Sequence, residues 1–110
     1  MNEPVNLTNL REMTDGDVEM EKMLFEEFFS SSEECILLMG NNCEDGENEG
    51  FRSSAHALKG TAINLGAETL SNLCKYAQEN YTASSAEKQT MIDNIKEEYH
   101  KAKAFLQEIY

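Results

Sequence analysis

His56 is the residue of this sequence best suited to chemistry, because of the side chains expected around it. Lys59 follows three residues later and Gly60 four residues later, and residues at these spacings are neighbours on a helix surface. A neutral imidazole is a nucleophile near neutral pH, and a lysine ammonium beside it can meet a phosphate bound to it as a charged donor. Glycine inside a helix costs about 1 kcal/mol relative to alanine, which indicates that space is needed beside His56.

A helical wheel places His56 on the outside of its helix. At roughly 100° per residue, the apolar residues of the segment share one side, which we predict to face the core: Phe51, Ala55, Leu58, Ala62 and Leu65. His56 lies roughly opposite the middle of that side. Arg52, Ser53 and Ile63 share the outward face, and we predict that they bind a partner together with Gly60. The alternative is that His56 is a surface residue without a function. The grouping of these side chains around it argues against that alternative.

The charge distribution favours the same segment. The chain of 110 residues has a net charge of −12. Three basic residues and one acidic residue between Phe51 and Tyr76 give that stretch a charge of +2, so the rest of the chain carries −14. A phosphate group would therefore meet the least electrostatic repulsion beside His56. The same acidity argues against binding to nucleic acid or to an anionic membrane surface.

The remaining composition predicts one cytoplasmic domain without a metal site. The length suits a single compact domain, and no apolar run approaches the roughly 20 residues of a spanning helix. Cys35, Cys43 and Cys74 form no Cys-x-x-Cys pair, so we expect reduced thiols that serve mainly in packing. The acidic loop predicted between Gly40 and Gly50 does not fit a calcium loop, because its residues lack the required ligand spacing.

Four long helices and one short helix are expected from the apolar periodicity. Leu7 and Leu10 predict a short helix within residues 1–13, which we treat as a leader to a bundle spanning 14–110. Thr14 and Asp17 resemble a capping box that opens the first long helix. Residues 40–42 end that helix, and the serines at 30–32 are a predicted bend.

The other three long helices follow with short connections. The second is predicted from about Glu49 to Leu65, with Gly66 as its terminator, and the third covers about residues 67–81. Ser84 and Glu87 form a capping box for the last helix, whose apolar stripe continues to residue 109. An antiparallel four-helix bundle is the simplest way to bury four such stripes, so we predict an all-α fold of this kind with the short helix added at the N-terminus.

Residues 54–60 read Ser-Ala-His-Ala-Leu-Lys-Gly, and Gly66 follows six residues after Gly60. With Leu70 and Cys74 farther along, this pattern resembles the signature of histidine-containing phosphotransfer (HPt) domains. The resemblance covers roughly residues 7–81, and the last helix agrees only as a generic amphipathic helix. It implies a four-helix bundle that exposes a phosphorylated histidine at mid-helix.

The resemblance also implies roles for individual residues. His56 would be the phosphoacceptor, Lys59 the residue near the phosphate, Gly60 the small residue that leaves space, and Gly66 a turn position. Gly50 departs from the pattern, because a helix-favouring residue is more usual there, and this departure would be compatible with a helix start later than Glu49, near Phe51.

The partners implied are receiver domains of response regulators or of hybrid sensor histidine kinases. The chain itself would bind no cofactor, and Mg²⁺ would belong to the receiver. It would be a phosphoryl carrier and not an enzyme, and it carries no glycine-rich nucleotide loop or kinase motif.

Two other functions compete with this interpretation. The first is an acidic helical interaction module that binds and regulates a receiver or another partner without carrying phosphate. It explains the net charge but not Lys59 and Gly60 beside His56. The second is a metalloprotein that uses His56 and His100. The two histidines lie on different predicted helices, and the Glu-x-x-His spacing of Glu97 and His100 has no second motif of the same kind to pair with, so we rank it last.

Overall fold

The computed structural model describes residues 4–43 and 47–109, which form five helices and no strand. The short first helix, α1, spans Thr8–Thr14. The four longer helices are α2 (Val18–Asn41), α3 (Asn48–Leu65), α4 (Glu68–Glu79) and α5 (Ser85–Ile109). The prediction of an all-α fold with a short N-terminal helix is therefore confirmed. None of the helices in the described ranges is both long and apolar enough to cross a membrane.

The long helices form an antiparallel bundle in chain order. Helix α2 packs on α3, α3 on α4, α4 on α5, and α5 returns to α2, so that α3 and α5 lie on opposite corners. The apolar faces meet in one core, whose largest completely buried apolar side chains are Phe51, Met39, Leu58, Leu70, Ile92, Ile95 and Leu106. Burial of these faces supplies most of the stability of such helices. It also fixes which side of α3 turns outward.

The start of α2 differs from the predicted capping box. Asp17 is the N-cap, and its carboxylate accepts a hydrogen bond from the Met20 amide at 3.2 Å. Thr14 instead ends α1, and its hydroxyl donates to the buried Glu21 carboxylate at 2.9 Å. The prediction was wrong because Asp15 takes a left-handed conformation with φ of 51°, which turns the chain between the two helices. Helix α2 then runs without interruption through the serines at 30–32.

The predicted cap before α5 is confirmed. The Glu87 amide donates to the Ser84 hydroxyl oxygen at 3.2 Å, and that hydroxyl donates to the Glu87 carboxylate at 3.2 Å. One turn farther on, Lys88 is completely buried. Its ammonium donates to Asn48 Oδ1 at 2.6 Å and lies 5.3 Å from the centre of the Phe51 ring. Lys88 thereby ties the start of α5 to the start of α3.

Helix α3 begins at Asn48, which confirms the start predicted at about Glu49, and the later start near Phe51 that Gly50 suggested is not observed. Gly50 lies inside the helix, and a Cβ atom there would come within 2.5 Å of Asn42 Oδ1. The Asn42 side-chain amide donates to the Leu38 carbonyl at 2.6 Å near the end of α2. Glycine at position 50 therefore leaves room for the side chain that finishes α2.

Gly66 ends α3 as predicted, with φ of 86° in the left-handed region. The Gly66 amide donates to the Ile63 carbonyl at 3.1 Å and the Ala67 amide to the Ala62 carbonyl at 2.9 Å, the paired bonds of a Schellman motif. The Gly66 carbonyl in turn accepts from the Asn6 amide at 2.8 Å. The N-terminal segment thus closes the end of the bundle over the turn between α3 and α4.

The cysteines are packing residues at two of their three positions. Cys35 and Cys74 are buried, Cys43 is half-buried, and the three, all within the described residues, form no disulfide. Burial raises the pKa of the Cys74 thiol to about 12, and burial also raises the pKa of Cys35. Thiols held in the neutral form are poor nucleophiles, which agrees with the packing role expected for them.

Candidate functional site

His56 lies in the middle of α3 and is exposed to solvent. Its neighbours Ala55 and Leu58 are completely buried in the core. Because the buried side of α3 is held by α2 and α4, the imidazole is carried on the outer surface of a well-anchored helix. The predicted outward orientation is confirmed.

Lys59 is half-buried beside His56, one turn farther along α3. Its carbonyl oxygen accepts a hydrogen bond from the Ser71 hydroxyl of α4 at 3.4 Å. Across the described residues, no carboxylate lies within the 4.0 Å that would pair it with the Lys59 ammonium. The backbone of Lys59 is therefore tethered to α4, while its ammonium group is available to an incoming anion.

Gly60 faces open space. A Cβ atom built at this position would meet no atom within 4 Å, apart from the helix's own backbone and the flanking residues. Packing inside the molecule therefore gives no reason for glycine at this helical position, where alanine would be more favourable by about 1 kcal/mol. The open space predicted at Gly60, one turn from His56, is present.

Arg52 and Ser53 lie on the same outer face, one turn before His56, and both are exposed. The Arg52 guanidinium lies 5.4 Å from the centre of the Tyr81 ring and 3.8 Å from a carboxylate oxygen of Glu49. No role for Tyr81 was predicted from the sequence. Its contact with Arg52 spans 29 positions of the chain, and no local pattern could have indicated it.

Ile63 continues this face toward the end of α3, and 60% of its side chain is exposed. It forms one wall of a groove of about 910 Å³ between α1, α2 and α3. Glu12 and Glu27 add carboxylates to the groove. The other apolar walls come from three different helices: Leu10, Met13, Leu24, Phe28 and Leu65. The sequence indicated Ile63 alone, because the groove exists only once the three helices have packed.

His100 does not join this site. It lies on α5, at the opposite corner of the bundle from α3, with its ring 5.4 Å from that of Tyr99. Within residues 4–43 and 47–109, no three His, Cys, Asp or Glu side chains are grouped so as to hold a metal ion. The pair of histidines that the metalloprotein interpretation needs is therefore not brought together.

The features of the candidate site lie together on the outer face of α3. A four-helix bundle presents one imidazole on an outer face, with a cationic group on one side, an uncovered glycine on the other, and an apolar groove about two turns away. The His56 side chain is exposed to solvent, so a large partner can reach it.

The chain belongs to the histidine-containing phosphotransfer family, because the family model described as Hpt domain matches residues 23–105. The match includes most of α5, which the resemblance noted from the sequence alone left out. Hpt domains work with receiver domains in phosphorelays and carry phosphoryl groups without acting as enzymes themselves. Neither a curated protein nor a solved structure gives a significant match to the chain.

Proposed function

We propose that this chain accepts a phosphoryl group on His56 from the aspartate of one receiver domain and passes it to the aspartate of another. The observation that supports this most directly is the exposed imidazole of His56 between the available Lys59 ammonium and the open space at Gly60. Receivers of response regulators and of hybrid sensor histidine kinases are the proposed partners. The cysteines, which form no disulfide, fit a proposed cytoplasmic location.

The proposed transfer is a displacement at phosphorus. A neutral ring nitrogen of His56 forms a bond to phosphorus as the bond from phosphorus to the aspartyl oxygen breaks, and the aspartate leaves as a carboxylate. Attack by the aspartate of a second receiver reverses these bond changes and frees the imidazole. Covalent relay of this kind splits one transfer into two easier steps. In this proposal the receiver supplies Mg²⁺ and its acidic ligands, which stabilise the transferring group.

Lys59→Ala is expected to slow transfer from a receiver to His56 by roughly tenfold without abolishing it, because one charge-assisted contact to the phosphoryl oxygens is lost. Rapid-quench kinetics with a phosphorylated receiver measures this rate. Lys59→Arg keeps the charge and serves as the control. Equal rates in all three proteins would remove Lys59 from the proposed site.

Gly60→Leu is expected to reduce transfer from a receiver at least tenfold, because a bulky side chain would fill the space through which the partner approaches His56. Leucine favours the helix more than glycine does, so the fold is expected to be kept. Gly60→Ala adds a single carbon and is the matched control. Phosphorylation by the small donor phosphoramidate should be little changed in either variant, which separates docking from chemistry. Unimpaired transfer from receivers to Gly60→Leu would contradict the proposed approach.

The groove beside Ile63 supports docking of a protein and not of a small molecule alone. Met13 and Ile63, both more than half exposed, stand on either side of it. Exposed apolar groups next to a reactive side chain are typical of interaction surfaces. A receiver that covers this groove would hold its aspartate over the same face that carries His56.

The test of the proposed function is incubation of the chain with several phosphorylated receivers, followed by intact mass measurement. The expected result is the gain of one phosphoryl group that is labile in acid and stable in alkali, as expected of a phosphorus–nitrogen bond to imidazole. Failure of every receiver and of phosphoramidate to load the folded protein would overturn the proposal. Binding of receivers without transfer would favour the regulatory interaction module instead.

A further inference from the structure

Arg52 is the second cationic side chain next to His56, but in this structure it is occupied elsewhere. It precedes His56 by four residues on the outer face of α3, a spacing at which helical side chains are direct neighbours. Its guanidinium lies over the Tyr81 ring, 5.4 Å from the ring centre, and 3.8 Å from Glu49 Oε2. Tyr81 belongs to the connection between α4 and α5, so this contact links the His56 helix to another part of the bundle.

Both contacts that Arg52 makes with other described residues are weak ones. The side chains of Arg52 and Glu49 are 50% and 78% exposed, and ion pairs this open to water contribute little. The attraction between a cation and an aromatic ring is also weakest where both are exposed to solvent. The guanidinium is therefore held in a defined place by interactions that a stronger ligand can replace.

A phosphoryl group on His56 would be that stronger ligand. It would bring between one and two negative charges to a position one turn from Arg52. Guanidinium binds phosphoryl oxygens through two parallel charge-assisted hydrogen bonds, each roughly twice as strong as a neutral one. Lys59 lies on the other side of His56, so the two cations would flank the group along the helix.

We propose that Arg52 is a phosphate-responsive positioning residue that leaves Tyr81 when His56 is phosphorylated and binds the phosphoryl oxygens. This proposal rests on the proposed function of His56. If so, the Arg52 guanidinium lies over the Tyr81 ring only while His56 is unphosphorylated. The phosphorylated and unphosphorylated proteins therefore differ at Tyr81. A partner in contact with this surface can therefore distinguish the two forms.

The test uses the full chain loaded with phosphoramidate. A ring nitrogen of His56 forms a bond to phosphorus, the phosphorus–nitrogen bond of the donor breaks, and ammonia leaves; the proton on the imidazole is later released to solvent. Nuclear magnetic resonance then follows the Arg Nε–H and Tyr ring signals before and after loading. The sequence has two arginines, and Arg11 on α1 is the internal control.

The expected result is a shift of the Arg52 and Tyr81 signals on loading, with the Arg11 signal unchanged. In Arg52→Gln, the Tyr81 signal should already lie near its position in the loaded wild type and should move little on loading. This second comparison separates release by Arg52 from a direct effect of the new charge on Tyr81.

A second readout is the equilibrium between the chain and a phosphorylated receiver. Arg52→Gln is expected to lower the ratio of loaded to unloaded chain roughly threefold to tenfold, since it removes a charged contact made only in the loaded form. Arg52→Lys should restore part of this ratio, because lysine keeps the charge without the paired donors.

Loading confirmed by mass with no movement of Tyr81, or the same movement in Arg52→Gln, would overturn this inference and leave the proposed function standing. An equilibrium ratio unchanged by Arg52→Gln would overturn it as well. Failure of His56 to accept phosphate from phosphoramidate and from every receiver would overturn the proposed function, and this inference with it.

Discussion

His56→Gln is expected to abolish phosphorylation while leaving the fold and its stability essentially unchanged. Glutamine removes the ring nitrogen that would form the bond to phosphorus, and an amide nitrogen is not a nucleophile of comparable strength. The side chain of His56 is exposed on the outer face of α3, so no core contact is lost. Surface substitutions of this kind usually change the free energy of unfolding by less than about 0.5 kcal/mol.

The measurement is intact mass after incubation with phosphoramidate and, separately, with phosphorylated receivers, together with urea unfolding of each protein. His100→Gln is the matched control, because it makes the same exchange at the other exposed histidine, on α5. The control is expected to gain the acid-labile group as fully as the wild type does. If His56→Gln still gained that group and His100→Gln did not, the phosphoacceptor would have been assigned to the wrong residue.

Much of the fold could be predicted because it is encoded by local periodicity. The apolar positions of the helix that carries His56 repeat at intervals of four and three residues, and all five are buried in the structure. That repeat alone fixed the outward direction of His56. The role of Gly66 at the end of α3 could be predicted as well, since glycine in the left-handed conformation commonly follows the last apolar position of a helix.

The features that could not be predicted depend on contacts between distant parts of the chain. Lys88 occupies a position of the buried stripe of α5, and its burial depends on the acceptor at Asn48, 40 residues earlier. The place of Arg52 depends on Tyr81 in the same way. The reason for glycine at position 50 could not be predicted either, because it lies in the side chain of Asn42, at the end of α2. Local propensity contains none of this information.

The groove beside Ile63 is a part of the candidate site that could not be predicted for the same reason. The sequence placed the phosphoacceptor and its immediate neighbours correctly on one face, because those neighbours are set by helix geometry alone. A docking surface needs walls from several elements, and Leu10 and Met13 come from α1, whose preceding segment is fixed against the α3–α4 turn. Gly66 is therefore structurally linked to the groove as well as to the turn.

Gly66→Ala is expected to lower the free energy of unfolding by about 3 kcal/mol. The left-handed conformation, with φ of 86°, costs a residue with a Cβ atom roughly 1–2 kcal/mol. The new Cβ would also overlap with the Asn6 carbonyl oxygen, so the N-terminal segment must move. That movement weakens the hydrogen bond from the Asn6 amide to the Gly66 carbonyl, worth about 1 kcal/mol, and the burial of Val5.

Urea unfolding followed by circular dichroism measures this change, and Gly60→Ala is the matched control. The same exchange at Gly60 meets open space inside a helix, so it should raise the free energy of unfolding by about 1 kcal/mol. Opposite signs at two glycines six residues apart would show that Gly66 serves the fold, whereas Gly60 is kept at a cost to stability. A stabilising effect at Gly66, or a destabilising one at Gly60, would contradict the assignment of these roles.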